Sequence, residues 1–194
     1  PGMINGNILT STGAGTILIE YYVSQNDCEA TTTQQIISSL TPDPEITSDN
    51  TPMCEGESRL LSASPAGGDF EVLSGPGDIS GVTLTATGAG MIWIQYTYTQ
   101  NNCTGSATQE ILSFDIPEPD FTSDSGPICS GDTRILSAVP TGGTFSLLSG
   151  PGEINGNVLT CEGEGILLIE YEITLNGCSG NTVESIQAFE TPSP

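Results

Sequence analysis

Three stretches of the chain, residues 17–23, 92–98 and 167–173, alternate apolar and polar positions with a period of two. One face reads Ile17, Ile19, Tyr21, Val23, then Ile92, Ile94, Tyr96, Tyr98, then Leu167, Ile169, Tyr171, Ile173. Alternation of β-branched and aromatic residues predicts a strand with one face buried. The opposite face drifts, from Leu18 to Trp93 to Leu168 and from Tyr22 to Thr97 to Glu172, as positions filling no shared core do. Each stretch follows a Gly-x-Gly and precedes a polar turn with one cysteine, Cys28, Cys103 or Cys178.

The spacing is regular. Pro1, Pro76 and Pro151 are equivalent at a step of 75 residues, and Cys54 and Cys129 keep the same step. A period this long exceeds that of solenoid repeats and fits a small sandwich with its own core. Pro-x-Pro recurs at 42–44, 117–119 and 192–194, where prolines stiffen linkers and cannot sit in central strands. The expected domains are therefore 1–43, 44–118 and 119–193, the first being the C-terminal half of a repeat whose front half should precede Pro1. In the complete middle repeat, strands are expected over 45–49, 58–64, 70–73, around Ile79, and over 82–85, 91–99 and 106–114. About seven short strands with Gly, Pro and Asn punctuation and no helical periodicity predict an all-β fold of tandem immunoglobulin-like β-sandwiches, joined end to end as a rod.

Composition removes several functions. The 194 residues contain 24 acidic side chains against two cations, Arg59 and Arg134, for a net charge of −22 without histidine or lysine. Nucleic acid is excluded as a partner, since phosphate needs basic residues, and anionic membrane surfaces are disfavoured. Like charge favours solubility and keeps linked domains apart. Catalysis has no support: there is no histidine or lysine base, and no serine or cysteine beside one. Six cysteines at repeated positions, with no C-x-x-C and no histidine to complete a zinc site, point to disulfides in an oxidising, extracellular setting.

The combined motif is Cys-x-Gly, Leu-Ser-Ala, Gly-Gly-x-Phe, Gly-Pro-Gly-x-Ile-x-Gly, Gly-x-Gly, Ile-x-Ile-x-Tyr and Asn-x-Cys. It resembles the Ig-like or PKD-like tandem repeats of very large surface proteins in Bacteroidetes, including adhesins linked to gliding motility and exported by the type IX system. The resemblance spans the whole chain and implies a cell-surface filament or spacer.

Cysteine pairing is open between two schemes. Within-repeat pairing joins Cys54 to Cys103 and Cys129 to Cys178, leaving Cys161 odd. In an immunoglobulin-like sandwich, however, Cys54 and Cys103 occupy turns at opposite poles. A strand of about ten residues, at ~3.3 Å each, holds them roughly 30 Å apart. A disulfide needs Cα atoms within about 7 Å. The competing scheme joins Cys54 to Cys178 across a junction, closes Cys129 on Cys161, and gives Cys28 and Cys103 partners before residue 1. A first strand that swaps sheets would restore the within-repeat pairing.

Other candidate sites are weaker. Acids cluster at the linkers, Asp43, Glu45 and Asp49, then Asp115, Glu118, Asp120 and Asp124, where calcium would stiffen a junction. No D-x-[DN]-x-[DN]-G loop accompanies them, and plain solvated acids are the competing reading; no other cofactor is expected. Arg59 and Arg134 should each pair with a neighbouring acid. Trp93, where other repeats carry leucine, reads as a half-exposed sheet residue or a sugar-stacking platform. Gly-Pro-Gly lacks a following lysine and helix and is a turn, not a phosphate loop.

The expected function is a non-enzymatic stalk segment of a large extracellular adhesin. Its partners would be neighbouring repeats of the same chain, with surface polysaccharide or other cells met through a distal tip. The competing readings are a carbohydrate-binding module and a spacer attached to a secreted enzyme.

Overall fold

In the computed structural model, which describes residues 1–192, the chain is built from strands and turns. The third Pro-x-Pro and the last residue of the expected third domain reach beyond the described residues. No helix among those described is long and apolar enough to cross a membrane.

The first repeat has four strands: β1 (Gly2–Asn5), β2 (Ile8–Ser11), β3 (Gly15–Gln25) and β4 (Cys28–Ser38). They form two separate hairpins. The second repeat runs β5 (Glu45–Ile46), β6 (Met53–Cys54), β7 (Ser58–Leu60), β8 (Ala63–Ser64), β9 (Asp69–Ser74), β10 (Gly77–Ser80), β11 (Thr83–Ala86), β12 (Gly90–Gln100) and β13 (Cys103–Phe114). The third repeats this order as β14 (Asp120–Phe121), β15 (Ile128–Cys129), β16 (Thr133–Ile135), β17 (Ala138–Val139), β18 (Thr144–Ser149), β19 (Gly152–Asn155), β20 (Val158–Cys161), β21 (Gly165–Leu175) and β22 (Cys178–Phe189).

Each complete repeat is a sandwich. One sheet has the order β6-β13-β12-β9, or β15-β22-β21-β18; facing it lie β10-β11-β7, or β16-β20-β19, extended by the pair β5-β8 or β14-β17. The alternating strands turn Ile92 and Ile94 inward, onto Met53, Leu61, Leu84 and Ile111, and bury Tyr96 against Phe70. The third repeat builds a separate core from Ile128, Leu136, Leu159, Leu167, Ile169 and Ile186. This is an immunoglobulin-like arrangement: a first strand shared between sheets and a long final hairpin in the middle of one of them.

Seven expected strands become nine segments because the second breaks and a short strand is added after the bend that follows the first. The first, expected over 45–49, shortens to β5, and β6 is the added strand; they pair with different sheets, β5 with β8, and β6, in parallel, with β13. The second breaks at Leu61 and Ser62, where Leu61 turns into the core and Ser62 O accepts from both Thr47 N and Ser48 N.

Buried tyrosines close one end of each complete core. Tyr96 Oη donates to Pro65 O at 2.6 Å and accepts from Gly68 N at 2.7 Å. Tyr171 makes the same two bonds with Pro140 O and Gly143 N, both at 2.7 Å. A buried phenol needs such partners, and here it ties the long strand to the Gly-Gly turn.

Candidate functional site at the repeat junction

The site lies where one repeat hands over to the next. Its first part is a two-residue turn at the tip of each long hairpin, with positive φ at Asn26 and Asp27, at Asn101 and Asn102, and at Asn176 and Gly177. Asparagine, aspartate and glycine tolerate this left-handed geometry, whose twist matches the flanking strands. The turn places a cysteine as the first residue of the returning strand: Gln25 pairs with Cys28, Gln100 with Cys103, and Leu175 with Cys178.

The second part is the kinked first strand. Arg59 Nη1 donates to Asp49 O and Thr51 O at 3.2 and 2.7 Å, and Nη2 to Pro52 O at 3.4 Å. Arg134 clasps Asp124 O, Gly126 O and Pro127 O at 2.9, 2.6 and 2.8 Å. The expected ion pairing is thus secondary. Glu57 approaches Arg59 at 3.6 Å, but what the guanidinium holds in both repeats is the bend between β5 and β6, or β14 and β15. A planar fork with five donors suits three converging carbonyls, and a lysine would not span them. Thr51 donates its hydroxyl and its backbone N–H to Asp49, which lowers that carboxyl below its ordinary value, with Arg59 adding to the effect.

This clasp presents Cys54 at the end of the repeat opposite Cys103. Since β6 runs parallel to β13, Cys54 lies beside Phe114, eleven residues along β13 from Cys103. At about 3.3 Å per residue those ends are roughly 36 Å apart. Cys54 instead forms a disulfide with Cys178 of the following repeat, with Cα atoms 5.6 Å apart. The within-repeat pairs Cys54–Cys103 and Cys129–Cys178 are therefore not made. The first strand does switch sheets, but the parallel direction of β6 sends Cys54 away from Cys103, so the switch does not restore them.

The remaining cysteines carry free thiols. Cys161 and Cys129 lie at the same pole, where Gly131 N donates to Cys161 O and Cys161 N to Asp132 O, at 2.8 and 2.9 Å. Their side chains diverge, however. Cys161 is fully buried among Leu159, Leu167 and Ala188, its thiol directed at Gly163 O, while Cys129 is exposed. The Cys129–Cys161 closure is consequently not formed. Period-two alternation already put Cys161 on the inward face with Leu159, two residues earlier, and Ser11 and Ala86 at its equivalents mark a small core position.

Linker prolines complete the junction. A Cβ on Gly105 would lie 1.9 Å from Pro42 O, and one on Gly180 1.8 Å from Pro117 O. Glycine alone lets the linker lie against the final hairpin this closely. Sequence reasoning missed these glycines, although Ala30 at the equivalent place in the first repeat marks the position as variable.

The calcium candidates are not gathered. Among the described residues no three Asp, Glu or Cys side chains form a group able to hold a metal ion. Asp49 and Asp124 cap their own bends, and Asp115 Oδ1 accepts from Ala89 N at 2.9 Å. Trp93 stands on the outer face of β12, 39% exposed. It lies outside the apolar clefts beside Tyr96 and Tyr171, of about 210 and 430 Å³, which are lined by the Gly-Gly turns and Phe70 or Phe145.

No family model matches the sequence, and no curated protein matches it. Among solved structures, a fragment of three titin immunoglobulin domains covers 99% of this chain and 82% of its own length, with 13% identity and a TM-score of 0.46. A four-domain ectodomain fragment of ICAM-5 covers 93% of the chain and 63% of its own length, with 15% identity and a TM-score of 0.36. The insect immune protein hemolin covers 89% and 56%, with 12% identity and a TM-score of 0.36. The fold assignment rests on the strand order and pairing described above.

Proposed function

We propose that this chain is a stalk segment of a large extracellular adhesin, a non-enzymatic rod of immunoglobulin-like domains spanning 1–43, 44–118 and 119–193. The observation that carries this reading is the Cys54–Cys178 bridge, which joins successive repeats instead of closing one. A bridge within a repeat would stabilise a bead. A bridge across a junction fixes how one bead sits on the next, and it does so where Pro117 lies against Gly180. A net charge of −22 favours extension, and disulfides suit an oxidising compartment. The resemblance of the repeat motif to Bacteroidetes surface adhesins supports a place at the cell surface, with binding left to a distal tip.

Small-angle scattering of the oxidised chain and of Cys54→Ser tests the stalk reading. The oxidised chain should keep one extended profile, and the variant should broaden toward a bent ensemble while both cores stay folded. Identical profiles would count against a reinforced rod and leave independent beads. Non-reducing Glu-C peptide mapping should recover a Cys54–Cys178 peptide.

A further inference from the structure

Each complete sandwich leaves a six-residue strand at the rim of its four-stranded sheet. Among the described residues, β9 pairs only with β12, and β18 only with β21. A rim strand offers free N–H and C=O groups to any extended chain that fits beside it. In β18 a bulge at Leu148 interrupts the regular register and leaves Thr144–Leu147 as the straight portion.

The two sides of β18 differ in chemistry. On the outer face Thr144 lies opposite Glu172 and Ser146 opposite Glu170. Two carboxylates thus stand one strand in from the rim, behind short, exposed side chains. Asn181 Nδ2 donates to Glu170 Oε1 at 2.6 Å. Neither acid has a cationic partner among the described residues, since Arg59 and Arg134 grip backbone carbonyls instead. On the inner face Phe145 walls the cleft beside Tyr171, which opens between the start of β18 and the turn at Gly156 and Asn157. This cleft measures about 430 Å³, against about 210 Å³ in the second repeat, where Val82 stands in place of Asn157.

We infer that the rim of β18 is a docking site for an extended basic segment of another protein, with arginine or lysine at alternate positions and apolar residues between them. The segment adds a strand antiparallel to β18. Its basic side chains reach over Thr144 and Ser146 to Glu172 and Glu170, whose strand lies two spacings away, about 10 Å. Its apolar side chains face the other way, and one enters the cleft beside Phe145 and Tyr171. Charge selects this occupant over a second copy of the chain, which brings a net charge of −22 and no free arginine to the carboxylates. The site belongs to the flank of the third repeat and stands whether or not the chain is a stalk.

The test titrates the whole chain with a short, end-blocked peptide of alternating arginine and valine, at physiological ionic strength in a calorimeter. Binding should be one to one. Amide exchange over Thr144–Leu147 should slow at least tenfold, while exchange over Asp69–Val72 stays unchanged. A peptide of the same composition with its arginines in one block carries the same charge and should bind at least tenfold more weakly. Glu170→Gln combined with Glu172→Gln should weaken binding about three- to tenfold, as loss of two exposed ion pairs does. Asn157→Val, which changes no charge, should also weaken it by narrowing the cleft. Unchanged exchange in β20 and β21 of the free variants shows that they are folded. Absence of binding, equal binding of the two peptides, or equal protection of β9 and β18 would overturn the site, the last two showing only a polycation drawn to an acidic chain. So would self-association that protects Thr144–Leu147 before any peptide is added.

Discussion

The hairpin β3–β4 of the first repeat and the hairpin β12–β13 of the second share their turn geometry and register. Gly15 lies opposite Ser38 as Gly90 lies opposite Ser113, and two asparagine-type residues close each tip. Yet Tyr96 is 1% exposed and Tyr21 is 65% exposed. Pairing along a hairpin is decided locally, by turn residues and β-branched neighbours. Burial is decided by contacts from farther along the chain: in the second repeat Met53, Leu61, Phe70 and Val72 join Ile92 and Ile94 of β12 in one core.

Truncating that shared face should give the largest contrast. Ile94→Ala leaves a cavity beneath two sheets and should lower the stability of the second repeat by about 2–5 kcal/mol in denaturant unfolding, whereas Ile19→Ala should change little. An intermediate effect is expected at the linker. Gly180→Ala forces a methyl group against Pro117 O and should cost about 1–3 kcal/mol as overpacking, accompanied by slower formation of the Cys54–Cys178 bridge on reoxidation. The reverse change in the first repeat, Ala30→Gly, should be close to neutral. The smallest effect belongs to a hydroxyl. Tyr96→Phe strands Pro65 O and Gly68 N and should cost about 1–2 kcal/mol by thermal unfolding, while Tyr21→Phe should be silent. Equal losses for Tyr96 and Tyr21 would mean that the first repeat is covered in solution.

Much of this is legible in the sequence. The 75-residue step located the equivalent residues, and alternation identified which of them face inward. The strand order of an immunoglobulin-like sandwich put Cys54 and Cys103 at opposite poles and strand length gave their separation, which favoured the bridge to Cys178 that the structure forms. Asn50-Thr51-Pro52 marks the bend between β5 and β6 in the sequence, but what holds it was not readable, because the groups that Arg59 grips are backbone carbonyls, and carbonyls carry no residue-type signal. The pairing assigned to Cys161 failed for another reason. Its backbone does lie beside that of Asp132, but nearness along a turn says nothing about the direction of a side chain, and the inward face claimed this one. The linker acids illustrate the same gap: a cluster in sequence is not gathered in space, and Asp49, Asp115 and Asp124 each accept from a nearby backbone N–H instead.

The bridge at Cys54 also decides what happens to a molecule held by both ends. For a load applied near Pro44 and Pro192, the shortest covalent route runs from 44 to Cys54, across the sulfurs, and on from Cys178. The two cysteines are 124 residues apart in sequence. At about 3.4 Å per extended residue, on the order of 400 Å of slack is taken out of the load path. Both cores lie almost wholly inside that shunted loop, so even a melted repeat would lengthen the tether very little. Reduction of a single bond would release the whole reserve at once.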